Sequence, residues 1–376
     1  MNFAFTEEQE MLREAVRGFL EQYSPISAVR AQMETADGFD AALWERMTNE
    51  LGLPALAIPE AYGGQGFGFT ELTIVLEELG RALVCAPFFS SAVLGAFAIL
   101  NAGSEADRQA MLPGIGAGTT RATLAVSEPS GSWDASGVAM VARPNGGTYL
   151  LSGTKHYVLD GHTADQIVVV ARAEGTSGDD GLGFFVVSGD SVGLTREPLA
   201  TMDQTRKQAK LVFDNVEACA LGVPGSGGPA LRTTMQQAAV ALANEMVGGA
   251  QRVLEMAVEY AKVRVQFGRP IGSFQAIKHK CADMLLEVES AKSAAYYASW
   301  AATEGNDELP VVSSLAKAYC SDAYFHAAAE NIQIHGGIGF TWEHDAHLYF
   351  KRAKSSEIMF GDATHHRELL AQEIGM

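Results

Sequence analysis

The chain has 376 residues, enough for roughly two or three domains, and 47% of them are hydrophobic, which is typical of a globular protein with a large core. Its 27 Lys and Arg residues face 45 Asp and Glu residues, and the net charge of -18 opposes general attraction to nucleic acid or anionic lipid. Four cysteines without metal-ligand spacing predict free thiols and no metal site, and the absence of a secretory signal predicts a cytoplasmic protein.

The first third of the chain is predicted to be helical. Thr6 and Gln9 fit a capping box, and apolar residues follow them at helical spacing. The uncharged stretch 83–103 is about long enough to cross a bilayer, but Pro87 and two adjacent serines favour a buried helix over a membrane span. Further helices are expected at 41–51, 70–83, 88–101 and 105–112.

From about Arg121 the pattern changes to short β-rich runs separated by turns, which predicts a mostly antiparallel sheet. The Gly- and Pro-rich segment 222–230 is interpreted as a connector, and long helical segments follow it. We therefore expect an α+β multidomain protein. Its predicted parts are an N-terminal helical domain at 1–120, a central antiparallel β domain at 121–225 and a C-terminal four-helix bundle at 226–376.

Four motifs follow one another along the chain, and none fits a P-loop or a Rossmann fingerprint. They are AVSEPSGS at 125–132, SGTKHYVLDG at 152–161, YAKVRVQFGRPIGSFQ at 260–275 and NIQIHGGIGFTWEHDAHLYFKRAK at 331–354. In this order, and with the α-β-α arrangement, the chain resembles the acyl-CoA dehydrogenase family over nearly its whole length. With Phe360 at the position where many members have their catalytic base, it also resembles bacterial members that act on steroid side chains and assemble from two unlike subunits.

The resemblance implies a flavoprotein that forms a homo- or hetero-tetramer, with FAD between the β domain and the C-terminal helices. Arg264 would pair with the FAD pyrophosphate, since a guanidinium offers two parallel donors. Residues matching the adenosine side are Gln266, Phe267 and Gln275. Residues approaching the cofactor from a partner chain are Gln333, Gly336 and Gly337. Residues matching positions that hold the flavin ring are Leu124, Ser127, Tyr157 and Leu159.

The implied reaction is α,β-dehydrogenation of an acyl-CoA thioester, with electrons passing from FAD to an electron-transfer flavoprotein. It needs a carboxylate base to remove the α proton. Phe360 stands where many members of the family have that base. We therefore predict Glu245 as the base, because it lies on the helix before the RxxFG motif. The small neighbours Gly248 and Gly249 on its helix face are expected to leave room for a ligand.

Three alternatives stay open at this point. Glu245 would be structural if it pairs with a basic residue of another helix while the glycines permit tight packing. Separately, the absence of the usual base at Phe360 is compatible with a non-catalytic, FAD-contributing subunit of a heteromeric enzyme, in which the other subunit supplies the base. Asp362 is a second candidate base, and it would also be needed if the chain were a flavin oxidase of the same fold.

Overall fold

The structure is a computed structural model that describes residues 5–376, and these fall into two compact units. The helical unit comprises the described residues up to Arg30, Phe69–Val84 and Ala239–Met376. The sheet unit comprises Ala31–Gly68 and Cys85–Ala238. Along the chain, helices come first, strands follow and helices return, which confirms the predicted fold class. The three domain boundaries stay a prediction.

The N-terminal helices begin close to where the sequence predicts them. The capping box is confirmed, because the Thr6 backbone N–H donates to Gln9 Oε1 at 3.0 Å and the Gln9 N–H donates to Thr6 Oγ1 at 3.2 Å. Residues Phe89–Gly95 form a π-helical stretch within the predicted helix 88–101. Among the described residues, no helix is both long and apolar enough to span a membrane. The helices are α1 (Glu7–Tyr23), α2 (Ile26–Met33), α3 (Ala41–Asn49), α4 (Phe69–Arg81), α5 (Ala96–Ala102) and α6 (Glu105–Gly116).

The central region forms one seven-stranded sheet with mostly antiparallel pairings, as predicted, although β1 runs parallel to β4. The sequence does not reveal β6, because its segment LTREP is short and carries two charges. The strands are β1 (Ala122–Ala125), β2 (Val141–Asn145), β3 (Thr148–Leu159), β4 (Gln166–Arg172), β5 (Leu182–Ser188), β6 (Leu194–Pro198) and β7 (Gln208–Gly225).

Strand pairing also closes a ring, since β4 pairs with β5, β5 with β7, β7 with β3, β3 with β2, and β2 with β4. The buried side chains of these strands form one apolar core, whose fully buried members include Leu151, Val169, Leu211 and Val216. Burial of this apolar surface is the main term that stabilises the sheet unit.

The C-terminal helical domain is confirmed, and it contains five α-helices rather than the expected four. A short hairpin, β8 (Val265–Gln266) with β9 (Arg269–Pro270), joins the first two helices. Gly305 ends the second helix with a φ of 59°, a left-handed conformation that glycine adopts without strain. The helices are α7 (Gly228–Val263), α8 (Gln275–Glu304), α9 (Leu309–His335), α10 (Ala346–Ile358) and α11 (Ala363–Glu373).

Within the helical unit, α4 and α7 approach each other until their backbones touch. A Cβ atom on Gly248 would overlap the carbonyl oxygen of Glu77, and one on Gly80 would overlap the carbonyl oxygen of Glu245. On the next residue of α7, a Cβ atom on Gly249 would overlap the Tyr324 ring of α9. These glycines lower intrinsic helix propensity, and the close packing that they permit compensates for that cost.

The substitution Gly248→Ala should lower the free energy of unfolding by roughly 1–3 kcal/mol, because the new methyl group must push α4 away from α7. Gly18→Ala is the matched control, since Gly18 lies in α1 with nothing within 4 Å of the added Cβ atom. It should raise the free energy of unfolding by up to about 1 kcal/mol. Thermal unfolding of both variants tests this, and equal effects would contradict the packing argument.

Candidate active site

Glu245, the predicted base, forms a buried ion pair. Its Oε1 atom lies 2.7 Å from Nη1 of Arg352, and the two side chains are only 7% and 5% exposed. Glu245 lies on α7 and Arg352 on α10, which the chain separates by 107 residues. Burial of a carboxylate without a partner is costly, and this guanidinium compensates the charge. The geometry is the one expected if Glu245 is structural.

The space beside Glu245 is filled by protein. The Cβ position of Gly80 on α4 lies 2.8 Å from Cγ of Glu245, so α4 covers the stem of the carboxylate. The space beside the two nearby glycines of α7 is also filled. The α4 backbone lies against Gly248, and the Tyr324 ring lies against Gly249. The expectation that these small residues leave room for a ligand is therefore wrong. The role of Glu245 as the base stays a prediction.

The turn that contains Phe360 and Asp362 is held from inside the helical unit. Phe360 is buried and has a φ of 60°, which is strained for a bulky residue. Nζ of Lys317 donates to the carbonyls of Glu357 at 3.0 Å and Gly361 at 2.9 Å, and burial lowers the pKa of Lys317 to about 7. Asp362 accepts a backbone N–H at 2.8 Å as the N-cap of α11. Its carboxylate thus has a structural use, and its role as a base stays a prediction.

The predicted adenosine-side residues share one exposed segment at the end of α7. Phe267, at the tip of the β8–β9 hairpin, is 91% exposed and has a φ of 53°. Such strain in an exposed aromatic residue is typical of functional sites. Among residues 5–376, nothing accepts a hydrogen bond from the exposed Arg264 guanidinium. Gln266 and Gln275 are also exposed, on β8 and at the start of α8.

The residues expected to reach a partner's cofactor lie at the end of α9. Gln333, Gly336 and Gly337 are exposed, and Gly336 has a φ of 65°. The His335 ring stacks on Tyr260 of α7 with 4.2 Å between ring centroids. This contact places the end of α9 beside the last turn of α7, so two predicted cofactor segments lie at one end of the helical unit.

In the sheet unit, the residues predicted to hold the flavin ring come together on β1, β3 and the segment after β1. Leu124 and Leu159 are buried, and Thr123 Oγ1 donates to the Leu159 carbonyl at 2.6 Å. Tyr157 is 47% exposed with a φ of 56°, and Ser127 is buried. The Ser127 Oγ atom has no hydrogen-bond partner among the described residues, which leaves a polar group for a ligand.

Sequence reasoning missed two charged residues beside these positions. Lys155 is fully buried in β3, with Nζ 2.7 Å from Oε1 of the buried Glu128. Burial lowers the pKa of Lys155 to about 8, although Glu128 acts in the opposite direction. A signal was present in the sequence, since both residues lie inside the motifs SEPSGS and SGTKHY. The sequence does not show that these two residues pair, because that depends on how the strands align in the sheet.

Comparison with known proteins identifies the family of the chain. Family models match this chain over its length: the acyl-CoA dehydrogenase N-terminal domain at residues 6–119, the middle domain at 123–216 and the C-terminal domain at 225–375. The acyl-CoA dehydrogenase IpdE2 of Mycobacterium tuberculosis is 38% identical over 353 residues, which cover 93% of this chain and 92% of that protein.

Two solved structures show the same architecture. The ChsE4-ChsE5 complex from Mycobacterium tuberculosis aligns with a TM-score of 0.90 and 28% identity, covering 100% of this chain and 99% of that one. The Tcur3481-Tcur3483 steroid ACAD aligns with a TM-score of 0.87 and 31% identity, covering 98% of each chain. The chain therefore belongs to the acyl-CoA dehydrogenase family of flavoproteins, whose activity is the oxidation of acyl-CoA thioesters.

Removing one partner of the buried ion pair should destabilise the protein strongly. Arg352→Met leaves the Glu245 carboxylate buried without its countercharge, and we expect a loss of roughly 3–5 kcal/mol in the free energy of unfolding. The double variant with Glu245→Leu should recover most of that loss, because apolar side chains replace both charges. Urea unfolding of the single and double variants measures the difference. No recovery in the double variant would mean that the pair is not the source of the effect.

Proposed function

We propose that this chain takes part in FAD-dependent α,β-dehydrogenation of a bulky acyl-CoA thioester, of the steroid side-chain class, as one subunit of a tetramer. The main support within the structure is a set of donors that have no protein partner at the predicted cofactor positions. These are the guanidinium of Arg264 and the buried hydroxyl of Ser127, within the described residues.

The donors present fit the chemistry of FAD. Arg264 offers a planar pair of N–H donors that suits a pyrophosphate, and no carboxylate within residues 5–376 pairs with it. The Ser127 hydroxyl offers a buried donor that a polar atom of a flavin ring would satisfy. The exposed ring of Phe267 and the amides of Gln266 and Gln275 would line the adenosine side. When bound, FAD supplies the acceptor for the hydride that leaves the β carbon, and its electrons would pass to an electron-transfer flavoprotein.

The substrate class and assembly are inferred from relatives. The Tcur3481-Tcur3483 protein is a steroid ACAD, and ChsE4-ChsE5 is a complex of two differently named chains. Both cover nearly all of this chain, so we infer a bulky acyl group and an assembly with an unlike subunit. None of the four cysteines is bridged, which fits a reducing compartment such as the cytoplasm.

The ion pair of Glu245 favours a second candidate role, in which this chain contributes FAD contacts while an unlike subunit supplies the base. A general base needs a lone pair that reaches the α proton of the substrate. The Glu245 carboxylate is instead buried, bonded to Arg352 and covered by α4. For Glu245 to act as the base, bound substrate would have to displace the guanidinium. The oxidase alternative gains no support, because Asp362 caps α11.

The cofactor proposal is tested by Arg264→Met in the purified assembly. Loss of the two charged hydrogen bonds to the pyrophosphate should weaken FAD binding by roughly tenfold to a hundredfold. The dissociation constant is measured by titrating the apoprotein with FAD and following flavin fluorescence. Arg143→Met is the control, because Arg143 is also exposed, lies on β2 and matches none of the predicted cofactor positions. Failure of the wild-type assembly to bind FAD would refute the proposed function.

The role of Glu245 is tested by Glu245→Gln in assembly with the natural partner chain and with FAD bound. If the ion pair is structural, flavin reduction by a competent acyl-CoA should stay close to the wild-type rate while thermal stability falls. If Glu245 is the base, the rate of flavin reduction should fall by roughly 10²–10⁴-fold. Stopped-flow bleaching of the flavin separates these outcomes, and the first is the one that the geometry favours.

A further inference from the structure

The segment between β1 and β2, residues 126–140, is held mainly by buried charged side chains. Neighbouring strands add two backbone hydrogen bonds, from the His156 N–H of β3 to the Ser127 carbonyl and from the Arg172 N–H of β4 to the Met140 carbonyl. Five of its backbone groups bond to such side chains. Irregular backbone inside a protein needs partners for its polar groups, and sheet pairing supplies only a part of them here. The position of this segment therefore depends on those charged groups.

Lys155 and Glu128 form the centre of this arrangement. Nζ of Lys155 donates to Glu128 Oε1 at 2.7 Å and to the Val126 carbonyl at 2.9 Å. The Glu128 carboxylate in turn accepts the backbone N–H groups of Ala139 and Met140, each at 3.0 Å. The pair thus ties the beginning of the segment to its end and to strand β3.

Arg172, at the end of β4, holds the same segment from a second direction. Its guanidinium is buried and donates to the Val138 carbonyl at 2.5 Å, the Ala135 carbonyl at 2.7 Å and the Gly178 carbonyl at 2.8 Å. Because these acceptors are carbonyls, Arg172 does not compete with Lys155 for the Glu128 carboxylate. The segment is fixed at both ends.

The residues that this pair holds in place are Ser127 and Tyr157, whose side chains are available to contact a ligand. Ser127 lies directly before Glu128, and its buried Oγ atom has no partner among the described residues. Its carbonyl accepts the His156 backbone N–H at 2.8 Å, directly after Lys155. Tyr157, the next residue, is half-exposed with a left-handed φ of 56°. A shift of Lys155 or Glu128 would therefore move both Ser127 and Tyr157.

We propose that Lys155 and Glu128 are positioning residues, which hold Ser127 and Tyr157 in place for the flavin ring. This inference rests on the proposed FAD-dependent function. Neither charged group needs to touch the cofactor, since both act through the backbone on either side of the Ser127–His156 hydrogen bond.

A purely stabilising role explains the arrangement less well. Replacement of a buried ion pair by apolar side chains is often neutral or stabilising, so such a pair is weak support for stability. What the pair does provide is a defined position, because Lys155 and Glu128 make three of the five hydrogen bonds from charged side chains to the backbone of this irregular segment. A site that must present a hydroxyl and an aromatic ring to a ligand requires that precision.

The test is Lys155→Met in the purified assembly, at a temperature where far-ultraviolet circular dichroism shows the variant folded. We expect FAD affinity to fall by roughly tenfold to a hundredfold, because a small displacement of the groups that contact a ligand costs a factor of about that size. The visible circular dichroism of the remaining bound flavin should also change, because it reports the asymmetry around the ring. If Lys155→Met fails to fold, Lys155→Arg keeps the charge and displaces the donor, and the same two changes are expected.

Arg121→Met is the matched control, since Arg121 pairs with Asp165 in the same sheet unit at 2.7 Å and bonds no atom of residues 126–140. It should lower stability and leave the flavin signal and affinity unchanged. Wild-type affinity and an unchanged flavin spectrum in a folded Lys155 variant would overturn the inference while leaving the proposed function intact. Absence of FAD binding by the wild-type assembly would refute the function itself, so the two failures are distinguishable.

Discussion

The contact between α4 and α7 is the constraint on which the helical unit depends. Two helices approach this closely only where one or both lack side chains, and Gly80 and Gly248 satisfy that condition reciprocally. The carbonyl of Glu77 lies where a Cβ atom of α7 would stand, and the carbonyl of Glu245 lies where one of α4 would stand. As a result, the middle of α7 is enclosed by protein on the face that also presents Glu245.

That enclosure affects how the isolated carboxylate of Glu245 in an apolar helix is interpreted. In the sequence, small residues around Glu245 are compatible with a ligand cavity or with helix packing. In the structure, α4 fills the space and Arg352 supplies the countercharge. The cost of burying a carboxylate is the same in both cases, so the cost alone does not identify a catalytic group. The partner here is an arginine of α10, which is the contact expected of a structural carboxylate.

Local features were predictable because their causes lie within a few residues. The capping box of Thr6 and Gln9 and the alternating runs of the sheet are examples. Strand β6 was missed because tertiary pairing with β7, not its own sequence, makes LTREP a strand. A basic partner for Glu245 was considered, but its identity as Arg352 was not predicted, and the pair of Lys155 with Glu128 was missed. The two pairs join residues 107 and 27 positions apart. One unaligned sequence does not show which residues so far apart come into contact, whereas the cofactor positions were accessible through motif resemblance.

The distribution of charge along the chain is compatible with the proposal that an anionic cofactor would bind at the β8–β9 hairpin. A chain with a net charge of -18 repels anions at long range, so an anionic ligand needs a local site without carboxylates. Residues 260–282 contain no Asp or Glu, and they include Lys262, Arg264 and Lys278, which are exposed and form no ion pair within the described chain. Elsewhere most basic side chains are paired with acids or carbonyls, as Arg352 and Lys155 are. Buried basic side chains such as Arg352 and Lys155 thus donate their hydrogen bonds within the protein, whereas those of Lys262, Arg264 and Lys278 keep N–H donors that a phosphate group could accept from.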